Sequence, residues 1–199
     1  MNIETEKSKL REIFKQKRSS LSGEEVIKKS QQINQNFIEN LLPKIYQKNS
    51  DKIFSLYLPS GNEVATTLLS EHFKKNKIKI SYPRILKKNY PLEFILADKN
   101  QQFSPNKFFS KILEPISGEK ILPDFLILPL LAFDANLSRL GMGGGFFDRT
   151  IQNLKTHKSE IITIALAYDV QRLHTNLPIT KTDQRLDFIV TEKNIFSAS

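Results

Sequence analysis

The chain has no cysteine, and this absence removes three classes of chemistry at once. Disulfide frameworks, zinc sites built on thiolates and cysteine nucleophiles all need the missing side chain. Long apolar runs are absent too, since none approaches the roughly 20 residues of a membrane-spanning helix. The charged N-terminal stretch lacks the apolar segment of a secretory signal. We therefore expect a soluble, cytoplasmic protein that has no membrane partner.

Glycine is scarce, which makes its distribution informative. Only seven of the 199 residues are glycine, and four of them lie between residues 141 and 145. Ordering a glycine costs more backbone entropy than ordering any other residue, so the cluster predicts a conformation or close contact that other residues do not allow. The amide groups of such a loop, followed by a helix that begins near Phe146, can bind a phosphate.

Charged residues flank this glycine loop (residues 141–145). Arg139 and Arg149 add positive charge, and Asp148 offers a carboxylate to a metal ion bound to the same phosphate. No Gly-Lys-Ser/Thr follows the loop, which excludes a P-loop, and Phe146 stands where a dinucleotide fingerprint needs its last glycine. The pattern predicts an anion site of another kind, and a plain glycine turn is the alternative.

The excess of basic residues also points to an anionic ligand. The chain contains 30 Lys and Arg residues and 21 Asp and Glu residues, which gives a formal net charge of +9. The lysines are spread along the chain, however, and its richness in Lys, Ile and Asn is typical of AT-rich genomes. We therefore expect a nucleotide or small polyanionic metabolite rather than a nucleic acid. The length suits one domain over residues 1–199.

The N-terminal residues Glu4–Ser20 have the spacing of an amphipathic helix. Its apolar face is predicted from Leu10, Ile13 and Phe14. A solvated basic face is predicted opposite, although two of its residues could reach a phosphate if the helix packs beside the glycine loop. The basic face comprises Lys7, Arg11, Lys15 and Arg18, of which Lys7 and Arg11 are those two.

The rest of the chain reads as an α/β protein. A capping box at Ser22 and Glu25 opens a helix that we expect to run to about Leu42 and end before Pro43. Two further helices are expected at Val64–Lys75 and Phe146–Leu154. An irregular connection is expected at Pro105–Gly118. Strands are predicted at Ile53–Leu58, Ile78–Tyr82, Leu92–Ala97, Phe125–Leu128, Ile161–Tyr168 and Phe188–Thr191. This order predicts a single-domain layered sandwich, with a mostly parallel, Rossmann-like sheet flanked by helices.

Unusual polar residues follow several of the predicted strands. Such segments are Tyr57–Glu63, Pro83–Arg84, the glycine loop with Asp134 and Arg139, and Tyr168–Asp169. Ligands of parallel α/β sheets bind outside the carboxyl ends of the strands. The sequence therefore predicts one composite pocket at that edge of the sheet.

Residues 139–149, RLGMGGGFFDR, resemble the signature of the 5-formyltetrahydrofolate cyclo-ligase (5,10-methenyltetrahydrofolate synthetase) family. That signature reads Arg-Leu-Gly-x-Gly-x-Gly-Tyr-Tyr-Asp-Arg and follows Pro-x-x-Ala-Phe-Asp, supplied here by residues 129–134. Three more segments are similar to family motifs: residues 7–11, LPSGNEVAT at residues 58–66, and a C-terminal block over residues 165–191. The resemblance thus covers essentially the whole chain.

The resemblance implies a role for each matching residue. Lys7, Ser8, Lys9, Leu10 and Arg11 would bind ATP, as would Arg139, Leu140, Gly141, Met142, Gly143, Gly144, Gly145, Phe146 and Phe147. Asp148 and Asp183 would hold Mg²⁺. Glu63 would accept hydrogen bonds from the pterin of the folate, with Leu58 and Phe146 lining that pocket. Arg139, Arg149 and Asp148 would form the catalytic set around the transferring phosphoryl group.

The implied reaction is a dehydration driven by ATP. Phosphorylation of the formyl oxygen of 5-formyltetrahydrofolate, with or without a polyglutamate tail, would make it a leaving group. N10 would then attack the activated carbon to give 5,10-methenyltetrahydrofolate and phosphate in a monomeric enzyme. Such a step relies on positioning and charge stabilisation and needs no covalent nucleophile.

The chain departs from the family pattern at a few positions. Phe146 and Phe147 replace two tyrosines, Thr182 stands where histidine is usual before the aspartate, and Leu130 replaces a glycine. These departures keep a second hypothesis open, a catalytically weak relative that binds folate or nucleotide. A basic α/β protein that binds nucleic acid is a third, although only Phe14 accompanies the basic residues of the first helix.

Overall fold

An eight-stranded mixed sheet with helices on both faces forms the centre of the molecule. The computed structural model describes residues 2–48, 50–158 and 160–198. The α-helices are α1 Ile3–Ser19, α2 Gly23–Asn36, α3 Leu42–Ile45, α4 Thr67–Lys75 and α5 Phe146–His157. The strands are β1 Ile53–Ser55, β2 Lys79–Arg84, β3 Glu93–Leu96, β4 Phe103–Pro105, β5 Leu113–Pro115, β6 Lys120–Ile121, β7 Phe125–Pro129, β8 Ala132–Phe133, β9 Arg139–Leu140, β10 Ile162–Leu166, β11 Phe188–Val190 and β12 Ile195–Ser197.

The main sheet has the order β12-β11-β10-β7-β1-β2-β3-β6. The five strands from β11 to β2 run parallel, while β12, β3 and β6 pair antiparallel at the edges. The predicted layered α/β fold with a mostly parallel sheet is confirmed. Strand β3 turns antiparallel because only the short connection 85–92 joins it to β2, with no crossover helix to bring it back parallel.

Strand β7 lies in the middle of the sheet and contains the apolar run FLIL (residues 125–128), which was predicted as a strand. Its alternate side chains enter two different cores, one on each face of the sheet. Phe125 and Ile127 pack into the core that includes Phe37 and Phe73, beneath α2 and α4. Leu126 and Leu128 pack into the core on the other face, against α5. Both faces are therefore dry, which explains why the run contains no polar residue.

The helix that begins after Ser22 differs from its predicted form. Its capping box is present, but α2 ends at Asn36 and continues as a π-helical turn over Phe37–Leu41. Pro43 then lies in the first turn of α3, where a missing N–H costs no hydrogen bond. The prediction that the helix ends before the proline is therefore wrong, since the helical segment continues through Pro43 to Ile45.

Several short strands were not predicted. The region expected to be an irregular connection, Pro105–Gly118, contains β5, which forms a hairpin with β4. The strands β6, β8, β9 and β12 are two or three residues long, too short for an alternating pattern to identify them. In the part of the chain that the structure describes, no helix is long and apolar enough to cross a membrane.

Candidate functional site

A cavity of about 650 Å³ opens at the carboxyl ends of β1, β2 and β7. The predicted composite pocket is confirmed in part: the chain at the end of each of these strands supplies part of its wall, but Arg84, Asp134, Tyr168 and Asp169 of the predicted segments do not line it. The wall includes Tyr57, Leu58, Ser60 and Glu63 after β1, Pro83 and Ile85 around the end of β2, and Pro129 and Leu130 at the end of β7. Helix α1, the glycine loop and the start of α5 complete it.

Helix α1 directs basic residues into this cavity. Lys7 and Arg18 are buried, and Arg11 is half-buried, while Ile13 is 48% exposed. The prediction of a solvated basic face opposite an apolar face is therefore wrong for Arg18 and Ile13, whereas Lys7 and Arg11 line the cavity, as the sequence suggested they could. The inward face of the helix is defined by ion pairs at the cavity and by Phe14, which packs in a small core with Leu131, Ala132, Leu140 and Leu177.

The glycine loop packs against this helix, as the sequence suggested it could. Arg11 Nε donates a hydrogen bond of 3.2 Å to the carbonyl oxygen of Gly141. Gly143 and Gly145 have positive φ angles of 95° and 64°, which confirms the predicted need for glycine at these positions. Among the described residues, the amides of residues 141–145 donate no hydrogen bond, and α5 begins directly after them. The loop thus has free donors beside a helix N-terminus, the arrangement that binds anions.

Two ion pairs lie beside the loop, and together with it they form the glycine-loop end of the cavity. Lys7 Nζ lies 2.5 Å from Asp183 Oδ2, and Arg139 Nη2 lies 2.7 Å from Asp148 Oδ1. Arg139 also donates to the carbonyl oxygen of Gln184 at 2.6 Å. Sequence positions far apart therefore meet here, and both predicted metal ligands lie beside predicted phosphate ligands.

Local contacts set the ionisation of this end. Burial by itself would raise the pKa of Asp183, but hydrogen bonds from Lys7 and from the backbone and side chain of Thr180 lower it overall. Burial lowers the pKa of the Arg139 guanidinium, while Asp148 opposes that change. Arginine nevertheless stays protonated at physiological pH. The glycine-loop end therefore has two carboxylates beside two cations.

The donor set suits a magnesium ion that is also bound to phosphate. Among the described residues, each of the two carboxylates accepts hydrogen bonds through only one of its oxygens. These oxygens are Asp148 Oδ1 and Asp183 Oδ2. One oxygen of each carboxylate, Asp148 Oδ2 and Asp183 Oδ1, thus remains available. The described residues contain no cluster of three or more His, Cys, Asp or Glu that could hold a metal alone. Mg²⁺ commonly takes one or two carboxylates and completes its shell with phosphate and water, so this pair fits it.

The opposite part of the cavity, the Glu63 end, is formed by Arg18, Leu58, Ser60 and Glu63. Arg18 Nη1 lies 3.5 Å from Glu63 Oε1, and the backbone N–H of Ser60 donates to Glu63 Oε2 at 2.9 Å. Burial raises the pKa of Glu63, although the Ser60 amide and Arg18 oppose the rise. This end thus holds a largely desolvated carboxylate whose partners are a guanidinium and a backbone amide.

Phe146 also lines the cavity. Its ring packs edge-on against Phe109 at a centroid distance of 5.9 Å, and the Arg149 guanidinium lies 5.4 Å from its centroid. Arg149 Nη2 also donates to the carbonyl oxygen of Gly144 at 2.6 Å. Phe146 and Phe147 are half-buried in the cavity wall, where ring packing needs no phenolic hydroxyl. Thr182 also lines the wall, and its hydroxyl lies 3.1 Å from that of Thr180.

The structure gathers most, but not all, of the predicted site residues. Lys7, Arg11, Leu58, Glu63, Asp183 and every residue from Arg139 to Arg149 line the cavity. Ser8 and Lys9 are exposed, and Leu10 packs against the small core around Phe14. These three side chains do not form part of the wall, because only Lys7 and Arg11 of that segment share its inward face.

Arg18 is the main site residue that the sequence did not single out. Its helical spacing from Lys7 and Arg11 was the available signal, since residues 7, 11 and 18 lie on one face. Its ion pair with Glu63 joins residues 45 positions apart, which no local pattern encodes. Thr180 and Gln184 were missed for the same reason: their contacts to Asp183 and Asp148 depend on a loop conformation.

Comparisons with known proteins agree with this geometry. The model of the 5-formyltetrahydrofolate cyclo-ligase family matches residues 3–192. A 5-formyltetrahydrofolate cyclo-ligase of Haemophilus influenzae is 34% identical over 161 residues, covering 76% of this chain and 81% of the relative. One from Mycoplasma pneumoniae is 29% identical over 190 residues, covering 94% and 99%. The solved structure of Aquifex aeolicus 5,10-methenyltetrahydrofolate synthetase has a TM-score of 0.79 at 29% identity, over 96% of this chain and 92% of the other.

Proposed function

We propose a reaction for this site from one established premise: the chain belongs to the 5-formyltetrahydrofolate cyclo-ligase family. The proposed reaction is the ATP- and Mg²⁺-dependent conversion of 5-formyltetrahydrofolate to 5,10-methenyltetrahydrofolate, with release of ADP and phosphate. One observation carries it: a single cavity joins a phosphate-type loop with flanking cations to a largely buried carboxylate that is paired with an arginine.

The glycine-loop end would bind the nucleotide. Free amides of residues 141–145 and the cations of Lys7, Arg11 and Arg139 suit the phosphates of ATP. A phosphate that replaced Asp183 beside Lys7 would keep the lysine paired while releasing the carboxylate. The same exchange at Arg139 would release Asp148.

Asp148 and Asp183 would hold the magnesium ion, which when bound neutralises phosphate charge and stabilises the departing nucleotide. The two carboxylates would exchange their present cations for the metal without further ligands from acidic side chains. Arg139 and Arg149 would then face the phosphoryl group and stabilise its charge in the transition state.

The Glu63 end would bind the pterin. A carboxylate with two acceptor oxygens matches the paired amino and ring N–H donors of that ring system, in the way that it matches a guanidinium. Leu58 and Phe146 would cover the flat faces of the folate, since both contribute apolar surface to the wall. The formyl group would then lie between the two ends of the cavity.

The chemistry then requires orientation rather than a protein nucleophile. The formyl oxygen attacks the γ-phosphorus, the bond from phosphorus to the bridging oxygen breaks, and ADP leaves. N10 attacks the formyl carbon, the C–O bond breaks with loss of phosphate, and the N10 proton passes to solvent or phosphate. The chain contributes by binding both substrates in line and excluding water from the activated carbon.

An absorbance assay for methenyltetrahydrofolate tests the proposal. Purified protein is mixed with 5-formyltetrahydrofolate and Mg-ATP, and each component is omitted in turn. Product should require both ATP and magnesium, and Asp148→Asn should slow its formation by roughly 100-fold or more. Asp51→Asn is the matched control, because the Asp51 side chain is 98% exposed and belongs to a surface ion pair. Folate binding without product would instead support a binding protein that lacks the activity.

The cavity also bears on the oligomeric state. One chain supplies both ends of the site, so we infer that the enzyme acts as a monomer, and we place it in the cytoplasm with its two substrates. Sedimentation at assay concentration should give the mass of one chain, 23.0 kDa. A stable dimer would contradict this part of the proposal.

A further inference from the structure

We propose that Arg18 is a positioning residue for folate, which pairs with the Glu63 carboxylate and holds it directed into the cavity. The inference rests on the proposed function, since it assigns a role within the same site. Arg18 lies outside the segment of residues 7–11 that the family resemblance marks, and its role follows from its contacts.

The contacts of Arg18 fix one side of the carboxylate. Its Nη1 lies 3.5 Å from Glu63 Oε1 and also donates to the carbonyl oxygen of Leu130 at 3.4 Å. The two side chains are 11% and 12% exposed. The amide of Ser60 donates to Glu63 Oε2. Each oxygen of the carboxylate therefore has one fixed partner, which leaves its remaining lone pairs for a ligand.

A second set of contacts ties the Glu63 loop to the helix that carries Arg18. The Nδ2 atom of Asn62 donates to the carbonyl oxygens of Arg18 and Leu21, at 3.3 Å and 3.0 Å. Arg18 is in the last turn of α1. Helix and loop are thus held together beside the ion pair, on the side where the guanidinium and the carboxylate meet.

The other titratable groups near Glu63 do not replace Arg18. Tyr57, after β1, and Tyr168, after β10, both interact electrostatically with Glu63, and burial raises the pKa of each. Both phenols are therefore neutral between pH 6 and pH 9, the range of the test below. Glu192 lies behind Tyr168 and is itself paired with Lys29. Arg18 is the cation that offsets the burial of Glu63.

The role of Arg18 has a chemical consequence for ligand binding. Without the guanidinium, burial would make Glu63 bind a proton at a higher pH than it does now. A protonated carboxyl group offers one donor in place of an acceptor, so it no longer matches two N–H donors of a ligand. The apparent affinity for folate would then fall as the pH falls, while the nucleotide would bind as before.

The test compares Arg18→Met, Arg18→Lys and the control Lys15→Gln, which removes an exposed cation from the same helix. The KM values for 5-formyltetrahydrofolate and for ATP are measured from pH 6 to pH 9, together with direct folate binding by calorimetry. At pH 6, Arg18→Met should raise the folate KM about 10-fold or more, and the defect should shrink toward pH 9. Arg18→Lys should restore much of the affinity, and Lys15→Gln should match wild type.

Two results would overturn the inference. One is a folate KM for Arg18→Met that rises equally at every pH, and the other is an ATP KM that rises in parallel. Circular dichroism and thermal melting identify a variant that has not folded, in which case Arg18→Lys alone decides through the shape of its pH profile. A wild-type protein that neither binds nor converts the folate would contradict the proposed function itself, which is a distinguishable failure.

Discussion

The two ends of the cavity use ion pairs in opposite ways. At the glycine-loop end, Asp148 and Asp183 are 28% and 21% exposed, and each keeps one oxygen without a partner among the described residues. At the Glu63 end, both oxygens are engaged and both partners are largely buried. The first arrangement suits the proposed exchange of partners with Mg-ATP, whereas the second suits a fixed acceptor. One cavity can therefore combine an adaptable half with a preorganised half.

The largest difference between the two kinds of ion pair should appear in the free energy of unfolding when the cation of each pair is removed. Arg18→Met leaves the Glu63 carboxylate buried without its cation, so we expect a loss of about 3 kcal/mol in the free energy of unfolding at pH 8. Lys7→Met leaves Asp183 with Thr180 as a hydrogen-bond partner and partial access to water, so about 1 kcal/mol is expected. Urea unfolding of the two variants measures both values. Equal losses would remove the distinction between an exchangeable and a fixed pair.

The next largest effect should be a difference between the two ends of the cavity in their affinity for the two substrates. Glu63→Gln replaces one acceptor by a donor, so the KM for 5-formyltetrahydrofolate should rise roughly 100-fold with little change in the ATP KM. Steady-state kinetics with each substrate varied in turn checks this. Glu71→Gln, at an exposed position of α4, is the control and should behave as wild type. A matching rise in the ATP KM would mean that the two ends do not bind separate ligands.

A smaller and opposite selectivity is expected from Asp183→Asn. The amide is a weaker metal ligand than the carboxylate, so Mg-ATP affinity should fall roughly 10-fold while folate affinity stays within about 2-fold. Calorimetric titration with a non-hydrolysable Mg-nucleotide, and separately with the folate, gives both constants. If nucleotide binding without magnesium falls by the same factor, Asp183 does not act through the metal.

The pH dependence of stability should give the smallest effect. The pKa of Asp183 is lower in the folded protein than in the unfolded chain, so the ionised carboxylate stabilises the fold above about pH 4. This contribution is lost as the pH falls through the folded pKa. Melting temperatures from pH 6 to pH 3 should therefore fall more steeply for wild type than for Asp183→Asn. Parallel curves would show that the ion pair with Lys7 does not contribute.

The parts of the molecule that the sequence predicts are those with a local or periodic signal. The FLIL strand, the glycine cluster and the capping box at Ser22 and Glu25 each carry such a signal, and each forms as expected. The burial of the Lys7 and Arg18 side chains could not be predicted from the sequence of the helix alone. Their burial depends on Asp183 and Glu63, which only the tertiary fold brings within reach. Helical periodicity shows which residues share a face, but not which face becomes buried.

One rigid helix connects the two ends, and this limits how the chain can change length. Lys7 and Arg18 lie eleven residues apart on α1, which corresponds to about 16 Å along the helix axis. A single inserted or deleted residue between Arg11 and Arg18 would rotate one basic residue by about 100° relative to the others and remove it from the cavity. Insertions before residue 7 or after residue 18 leave this alignment intact. Natural variation in the length of this helix should therefore be confined to its two termini.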